Sequence, residues 1–361
     1  MLGRGIDQIL PHPSNPRLFE SCVKNANIYV RLAEQTSGPL PKRPLHYAYP
    51  WGDTLAELEE HRPDARIINL ETSVTTSESS WPAKGIHYRM HPGNVECISS
   101  ARVDCCVLSN NHVLDWGHAG LPETLETLHS SGIKTAGAGI NENDASAPAI
   151  LEMSEGRRLL IFGYADESSG VPESWAATKR REGVNFLHDG ISAASADSIC
   201  RQIAKERRPE GKDIVICSLH WGENWGYQIS REERQFAHRL IDSGCVDILH
   251  GHSSHHAKGL EIYRGKLILY GCGDFLNDYE GISGHDEYRD DCTLMYFPRV
   301  NSSDGTLLSL FAVPMQIKHM RLNRANDEVG IWLSNVMQRE CAKFEVNVQR
   351  DPVKNILLFN W

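Results

Sequence analysis

Four apolar segments of the chain run directly into residue types that bind metal ions in proteins. Glu71 follows the first segment and His220 follows the third. The second segment ends in Asn110-Asn111-His112, and the fourth ends in Gly251-His252-Ser253-Ser254-His255. Imidazole nitrogens suit zinc, iron, manganese or nickel, while an amide oxygen and a carboxylate add harder oxygen ligands. These residues therefore predict a histidine-rich divalent-metal site with mixed nitrogen and oxygen ligands.

Other histidines of the chain show no such convergence. A single histidine at the end of a strand is more often a hydrogen-bonded structural residue than a metal ligand. We assign this structural role to His46, His61, His87, His91 and His118.

The elements that must position the ligand types alternate between strands and helices. Such alternation is typical of an α/β fold, in which ligand sites collect at the carboxyl ends of the strands. After residue 280 the strand-like segments have few helices between them, which predicts a mixed, partly antiparallel second sheet. We expect one domain over residues 1–361, with the motifs in 1–280 and with strands and a helix that complete the second sheet in 281–361. Apolar periodicity predicts strands at 66–70, 104–108, 133–136, 159–162, 213–219 and 246–249, and helices at 94–102, 121–131, 191–207 and 231–243.

Charge and hydropathy exclude two classes of partner. The formal net charge of −10 leaves no basic surface of the kind that nucleic-acid binding requires. We find no apolar run long enough to span a membrane. The first seven residues lack the zones of a secretory signal, so we expect a cytoplasmic protein.

The chain contains 10 cysteines, and none of them forms a C-x-x-C pair. Several lie inside apolar, strand-like stretches, as Cys217 does. Buried cysteines in such positions behave as small apolar residues. We therefore expect all of them to be buried, reduced thiols without a role in metal binding.

Five ordered motifs carry a resemblance to a known family. The chain resembles the CapA-type poly-γ-glutamate capsule biosynthesis family, which is related to the calcineurin-like metallophosphatases. The similarity covers residues 1 to about 280 and implies a four-layer α/β/β/α sandwich with mixed sheets, in which two divalent metals lie at strand ends. The motifs are Met1-Leu2-Gly3-Arg4-Gly5, Asn69-Leu70-Glu71-Thr72, the stretch 109–117, His220-Trp221-Gly222-Glu223, and Gly251-His252-x-x-His255 followed by 271–275.

The resemblance also implies roles for individual residues. Glu71 is expected to bind a metal or act as a base, and His112 to face the substrate while Asp115 orients its ring. The metal identity stays open among Mn, Fe, Zn and Ca. The remaining metal ligands implied by the family pattern are Asn111, His220, His252 and His255.

Hydrolysis is the chemistry that such a centre favours, because two divalent metals convert bound water into hydroxide near neutral pH. His112 is expected to protonate the leaving group, and Arg4 to hold an anionic oxygen of the substrate. Trp221 and Trp225 are expected to form walls of the substrate cleft. The substrate would be a peptide, a γ-glutamyl compound or a phosphoester.

The chain departs from the family pattern at two points. The family usually has Gly-Asp two or three residues before the Met-Leu-Gly-Arg stretch, and that aspartate would be a metal ligand. We therefore expect the natural chain to extend upstream of Met1 with one more strand. Asp274 stands where the family often has Asn, and we expect it to cap a turn rather than to support the site.

Two alternative functions remain. Relatives of this family act as peptide epimerases, for which Glu71, His112 and His255 would supply the acid and base groups. The chain could also be a non-catalytic subunit that binds other subunits of a polyglutamate synthesis or export complex.

Overall fold

The computed structural model describes residues 1–208 and 213–361, and its later helices begin at polar caps that the sequence supplies. Ser230 and Glu233 form a capping box, and Ser192 caps another helix by accepting a hydrogen bond from the Ser195 amide. No helix in these ranges is long and apolar enough to cross a membrane. The α-helices are α1 Asn27–Ser37, α2 Thr54–His61, α3 Glu96–Ser100, α4 Gly120–Ser130, α5 Glu142–Ser146, α6 Ala193–Glu206, α7 Arg231–Asp242 and α8 Asp327–Cys341.

The strands before α6 have two to four residues except β8, which has eight, and the strands after α6 have three to eleven residues. They confirm the predicted alternation of strands and helices as well as the strand-rich end of the chain. In order they are β1 Ile67–Asn69, β2 Ser73–Val74, β3 Arg89–Met90, β4 Cys105–Val107, β5 Lys134–Ala136, β6 Ala138–Gly139, β7 Ala149–Glu152, β8 Arg158–Ala165, β9 Gly183–Val184, β10 Asp213–His220, β11 Ile248–His252, β12 Leu260–Tyr263, β13 Lys266–Leu269, β14 Cys292–Val300, β15 Leu307–Ile317, β16 Leu322–Arg324, β17 Asn347–Asp351 and β18 Ile356–Asn360.

Three sheets carry most of the strands. The largest has the order β12-β13-β11-β10-β8-β7, and its inner strands are parallel while β12 and β7 pair antiparallel at its edges. A parallel sheet has the order β1-β4-β5. The end of the chain forms an antiparallel sheet of β14, β15, β18 and β17, with β16 paired to β15. The protein is thus a mixed α/β structure, as the sequence predicts.

The side chains of β10 alternate between two apolar cores. Ile214 and Ile216 face the core that also holds residues of β4 and α8, whereas Val215 and Leu219 face the core beneath α6 and α7. Since alternate side chains of a strand share a face, His220 points to the same side as Ile216. The strand therefore turns its last histidine away from the helices and into the protein.

The cysteines differ from the sequence expectation at three positions. Cys200 of α6 and Cys245, which follows α7, form a disulfide, and Cys22 is exposed. The expectation of ten buried, reduced thiols is wrong there because it considered each cysteine alone. Packing of α6 against α7 brings residues 45 positions apart to a Cα–Cα distance of 5.5 Å.

Asp213, the first residue of β10, is hydrogen-bonded to Arg158 and Arg208. It accepts hydrogen bonds from Arg158 Nε at 3.0 Å and from the Arg208 amide at 2.7 Å. Burial raises the pKa of Asp213, but the hydrogen bonds from both arginines outweigh burial and bring the pKa down to about 2. Its charged form therefore stabilises the strand that ends in His220.

We expect the Cys200→Ser variant to unfold at a lower denaturant concentration than the wild type when no reductant is present. Closing a loop of this length restricts the unfolded chain, and the loss should be about 2–4 kcal/mol of unfolding free energy. Cys22→Ser, at an exposed thiol, is the control and should leave the midpoint unchanged. Equal midpoints for Cys200→Ser and the wild type without reductant would show that the disulfide does not form.

We expect Asp213→Asn to lower the unfolding free energy at neutral pH by about 2 kcal/mol, because the folded pKa of Asp213 lies below the value in an unfolded chain. The contribution of Asp213 is present above about pH 4 and is lost as the pH falls towards 2. The two proteins should therefore converge in acid. Asp197→Asn removes an exposed aspartate that pairs with Arg239, and it should change stability little across the same pH series.

Candidate functional site

The pairing of β10 with β11 places His220 opposite His252 at the ends of both strands. Their Nδ1 atoms lie 2.7 Å apart, so one ring donates to the other. His252 Nε2 contacts Ser218 Oγ at 2.9 Å, and the same hydroxyl lies 2.9 Å from His250 Nδ1. Both ring nitrogens of His252 are therefore engaged, whereas His220 Nε2 is buried and has no hydrogen-bond partner within the described ranges.

Burial keeps these rings neutral. It lowers the pKa values of His220 and His252 well below the usual value, and neighbouring histidines lower them further. Burial also lowers the pKa of His250, to about 4. Neutral imidazoles are the form that binds a metal, because the ligand nitrogen must be unprotonated.

Glu71 reaches the same place from the carboxyl end of β1. Its Oε1 lies 3.9 Å from His220 Nε2, and its Oε2 accepts a 2.7 Å hydrogen bond from Asn69 Nδ2. Burial raises the pKa of Glu71 to about 7. This carboxyl can therefore exist in either protonation state near neutral pH.

Asn110 and Asn111 follow β4 and have opposite surroundings. Asn110 Nδ2 donates to Asn69 Oδ1 at 3.0 Å and to the Leu70 carbonyl at 2.9 Å, and Asn110 Oδ1 accepts from the His112 amide. Asn111 Oδ1 is buried without a hydrogen-bond partner among the residues that the structure describes. Asn110 is thus a structural residue, while Asn111 has a free oxygen.

The free donor atoms fit the metal that the resemblance implies. Within the described ranges Asn111 Oδ1 is a buried acceptor without a partner, and His220 Nε2 is another when His220 Nδ1 donates to His252. The carboxylate of Glu71 lies 3.9 Å from His220 Nε2. Nitrogen and oxygen donors of this kind suit a divalent transition metal. In the described chain, only one set of three His, Cys, Asp or Glu residues has ligand atoms within 4.8 Å of one another, and it lies on α2. No three of the predicted His and Glu ligands are therefore this close together; these ligands are Glu71, His220, His252 and His255.

His112 is held by a carboxylate, as the sequence predicts. Its Nδ1 donates to Asp115 Oδ2 at 2.7 Å, and the Tyr88 amide donates to the same oxygen at 2.6 Å. Because a carboxylate only accepts, the proton of a neutral His112 ring sits on Nδ1 and the lone pair sits on Nε2.

Lys84 completes this group, and sequence reasoning missed it. Its Nζ lies 2.6 Å from Asp115 Oδ1 and 3.0 Å from His112 Nδ1. Lys84 lies in a loop that carries no ligand motif, so the sequence contains no signal for it. Burial lowers the pKa of His112 to about 4, with Lys84 also lowering it and Asp115 opposing. For Asp115, burial raises the pKa, but His112 and Lys84 outweigh it.

His255 forms a second pair, with Asp274. Its Nδ1 lies 3.1 Å from Asp274 Oδ1 and 3.2 Å from Oδ2. Burial lowers the pKa of His255, but Asp274 outweighs burial and the net pKa is raised. The expectation that Asp274 caps a turn instead of supporting the site is wrong, because the loop after β13 folds its carboxylate back onto His255.

Arg4 has partners that differ from the predicted substrate oxygen. It donates to Asp278 through Nε at 2.8 Å and Nη2 at 2.6 Å, and to Glu20 through Nη1 at 2.9 Å. Its guanidinium also lies over the ring of Tyr29 at 3.7 Å and over that of Tyr88 at 4.5 Å. The predicted substrate clamp is corrected to a buried structural ion pair that anchors the first residues of the chain.

Trp221 and Trp225 differ although they are close in sequence. Trp221 is 2% exposed, donates from Nε1 to the Tyr270 carbonyl at 2.9 Å and packs in the core beneath α7. Its predicted place in a substrate wall is wrong, because a side chain next to His220 on an extended backbone points to the opposite face. Trp225 is half-buried, 5.2 Å from the ring of His255 and stacked on His285 at 3.8 Å, so its predicted role stays open.

A cavity of about 280 Å³ opens beside these residues. Its polar lining residues include Glu71, His252 and Asp274, and its apolar lining residues include Trp51 and Ile67, which belongs to the edge strand β1. The cavity gives a small molecule access to His250 and His252, which line it.

Comparison with known proteins identifies the family to which the chain is similar. The family described as "Bacterial capsule synthesis protein PGA_cap" matches residues 1–279. A probable polyglutamine synthesis accessory protein of Mycobacterium tuberculosis is 45% identical over 352 residues, which cover 98% of this chain and 92% of that protein. The capsule biosynthesis protein CapA of Bacillus anthracis is 27% identical over 237 residues, or 65% of this chain and 53% of that protein. The PGA biosynthesis protein CapA of Bacillus subtilis is 26% identical over 236 residues, or 65% and 58%.

The neighbouring asparagines provide a matched pair of variants. We expect Asn110→Ala to lower the unfolding free energy by about 1–3 kcal/mol, because it leaves the buried hydrogen-bond partners of Asn110 unsatisfied. Asn111→Ala should cost less than about 1 kcal/mol, because its oxygen has no partner to lose in the described structure. Denaturant unfolding of the metal-free proteins measures both values, and an equal or larger loss for Asn111→Ala would contradict this assignment.

Proposed function

Because the chain belongs to the family of bacterial capsule synthesis proteins described as PGA_cap, we propose that it is a metal-dependent hydrolase that acts in the synthesis of a glutamate polymer. The observation that carries the proposal is that Asn111 Oδ1 and His220 Nε2 are buried without hydrogen-bond partners in the described chain, with the carboxylate of Glu71 3.9 Å from His220 Nε2. Membership confirms the family that the motifs predict. We further propose that the sheets and their flanking helices form a four-layer metallophosphatase-like sandwich.

The metal would be held by Asn111, His220 and Glu71, with His252 and His255 as the further predicted ligands. His252 would have to release one of its present hydrogen bonds to contribute. When bound, a divalent metal, or the expected pair of metals, supplies an acidified water and polarises the bond to be cleaved. Mn, Fe and Zn suit this donor set better than Ca, the fourth metal expected from the sequence, because Ca prefers oxygen ligands alone.

His112 would handle the proton of the reaction. With its pKa lowered to about 4, the ring is neutral at physiological pH, and Nε2 has the lone pair. A neutral ring accepts a proton from an attacking water more readily than it donates one, so His112 acts first as a base. It can then return that proton to the leaving group, which is the role predicted from the sequence.

Neighbouring groups would orient the His112 ring and provide a second place to hold a proton. Asp115 fixes the orientation of the His112 ring, and Lys84 holds Asp115 by a 2.6 Å contact. Glu71, whose pKa burial raises to about 7, offers a second site at which a proton can be held.

The substrate class follows from the relatives rather than from the site. The names of the relatives refer to polyglutamine synthesis, capsule biosynthesis and PGA biosynthesis, so we propose a γ-glutamyl amide bond as the first candidate. Other peptides and phosphoesters remain candidates, because the same donor set serves them. The word accessory in one relative's name supports subunits of a polyglutamate synthase as partners, and it also supports a non-catalytic role in such a complex.

A peptide epimerase is the second candidate enzyme. It is favoured by two proton carriers of different type, Glu71 with its pKa near 7 and the neutral His112. An epimerase needs one group to remove an α-proton and another to return a proton on the opposite face.

We expect His220→Ala to lose bound metal and to cleave γ-glutamyl oligomers at least about 100-fold more slowly than the wild type, because loss of even an outer partner can cost a metal site this much. Metal content is measured by mass spectrometry after reconstitution with Mn, Fe or Zn, and cleavage by release of glutamate. His188→Ala, at an exposed histidine paired with Glu173, is the matched control and should keep both properties.

The same incubation, carried out in D₂O, separates the alternatives. Deuterium uptake from solvent at a peptide α-carbon without cleavage would establish the epimerase instead. A wild-type protein that binds no metal, or whose metal has no effect on cleavage, would overturn the hydrolase proposal and leave the subunit role.

A further inference from the structure

A second group of ligand atoms lies on α2, in a part of the chain that the proposed function does not use. Glu57, Glu60 and His61 occupy positions i, i+3 and i+4 of this helix, which share one face. One ligand atom from each residue lies within 4.8 Å of the other two.

Glu57 presents a buried carboxylate to this group. Its side chain is only 5% exposed, and its Oε1 is held by Arg324. The other oxygen, Oε2, has no hydrogen-bond partner in the described parts of the chain, and it lies 3.5 Å from His61 Nε2. Two ligands about 2 Å from one tetrahedral ion are separated by roughly 3.3 Å, so this spacing suits a shared cation.

The ring of His61 is held in place by aromatic neighbours. Phe297 of β14 and Phe311 of β15 each lie 4.8 Å from it, centroid to centroid, and they stack on one another. A ring that is oriented before binding loses little freedom when it takes up an ion. Glu60 is exposed, so it and water can complete the coordination from the solvent side.

The position of the group in the helix also favours a cation. Glu57 lies in the first turn of α2, whereas Glu60 and His61 lie in its last turn, where the backbone carbonyls carry a partial negative charge. The carboxylate of Glu60 is unfavourable near that end by itself, and Arg324 pairs with Oε1 of Glu57 but leaves Oε2 without a partner in the described structure. A divalent cation between Glu57, Glu60 and His61 would offset both effects.

We propose that Glu57, Glu60 and His61 form a second divalent-metal site, of a type that suits Zn²⁺ and is separate from the site around His220. Imidazole and carboxylate ligands with open positions for water are a common zinc environment. The site would fasten the end of α2 to β14 and β15 through His61. His61, which the sequence analysis assigns to a structural role, thereby becomes a ligand.

The test is a titration of the metal-free full-length protein with ZnCl₂ by isothermal calorimetry, in the wild type and in Glu60→Gln. Glu60 is exposed and its replacement does not disturb the core, so the variant should fold. We expect Glu60→Gln to bind Zn²⁺ at one site at least about tenfold more weakly than the wild type does, since loss of an outer partner alone costs this much. The remaining sites should be unchanged.

Glu59→Gln is the matched control, because Glu59 is an exposed neighbour on the same helix that does not belong to the group. It should bind Zn²⁺ as the wild type does. His61→Ala should lose the same site as Glu60→Gln, and His220→Ala should retain it, which separates this site from the proposed catalytic one. Identical isotherms for Glu60→Gln and Glu59→Gln would overturn the proposal.

Discussion

The parallel pairing of β10 with β11 is the constraint on which the rest of the site depends. In this register His220 lies opposite His252, and Ser218 lies opposite His250. Alternation along β10 sends His220 inward and Trp221 towards the helices, so one strand supplies both a site residue and a core residue. A shift of one residue would exchange the two faces and remove the site. The apolar cores on either side of the sheet fix this register, and they therefore determine the positions of the site residues as well as the fold.

Burial is the second constraint, and the protein meets it in two ways. Asp115 is matched by Lys84, and His255 by Asp274, so each charge has an opposite charge within hydrogen-bond distance. The other residues carry no stable charge, because burial keeps His220 neutral and raises the pKa of Glu71 towards 7. Groups that can gain or lose a proton are thus concentrated after the carboxyl ends of strands from two sheets, and such a concentration is typical of functional sites.

Two buried acceptors without partners have an energetic consequence. An unsatisfied buried polar atom costs about 1–3 kcal/mol, and Asn111 Oδ1 and His220 Nε2 are two such atoms within the described structure. Asn110, one residue before Asn111, shows that the same backbone can satisfy an amide completely. A ligand that accepted these lone pairs would recover the cost, so binding and stability are linked at this position.

The sequence by itself determined which residue types stand at the strand ends, because apolar periodicity and ligand residues are local features. It identified the α/β class and the family, and it predicted roles for Asn111, His112 and His220. Tertiary structure decided which of these residues contact one another and which other residues join them. Lys84 contacts Asp115 from a separate loop, and no sequence spacing predicts that contact. The inward Arg4, the buried Trp221, the Cys200–Cys245 bond and the contact of Asp274 with His255 likewise depend on packing between elements distant in sequence, and only the folded chain brings those elements together.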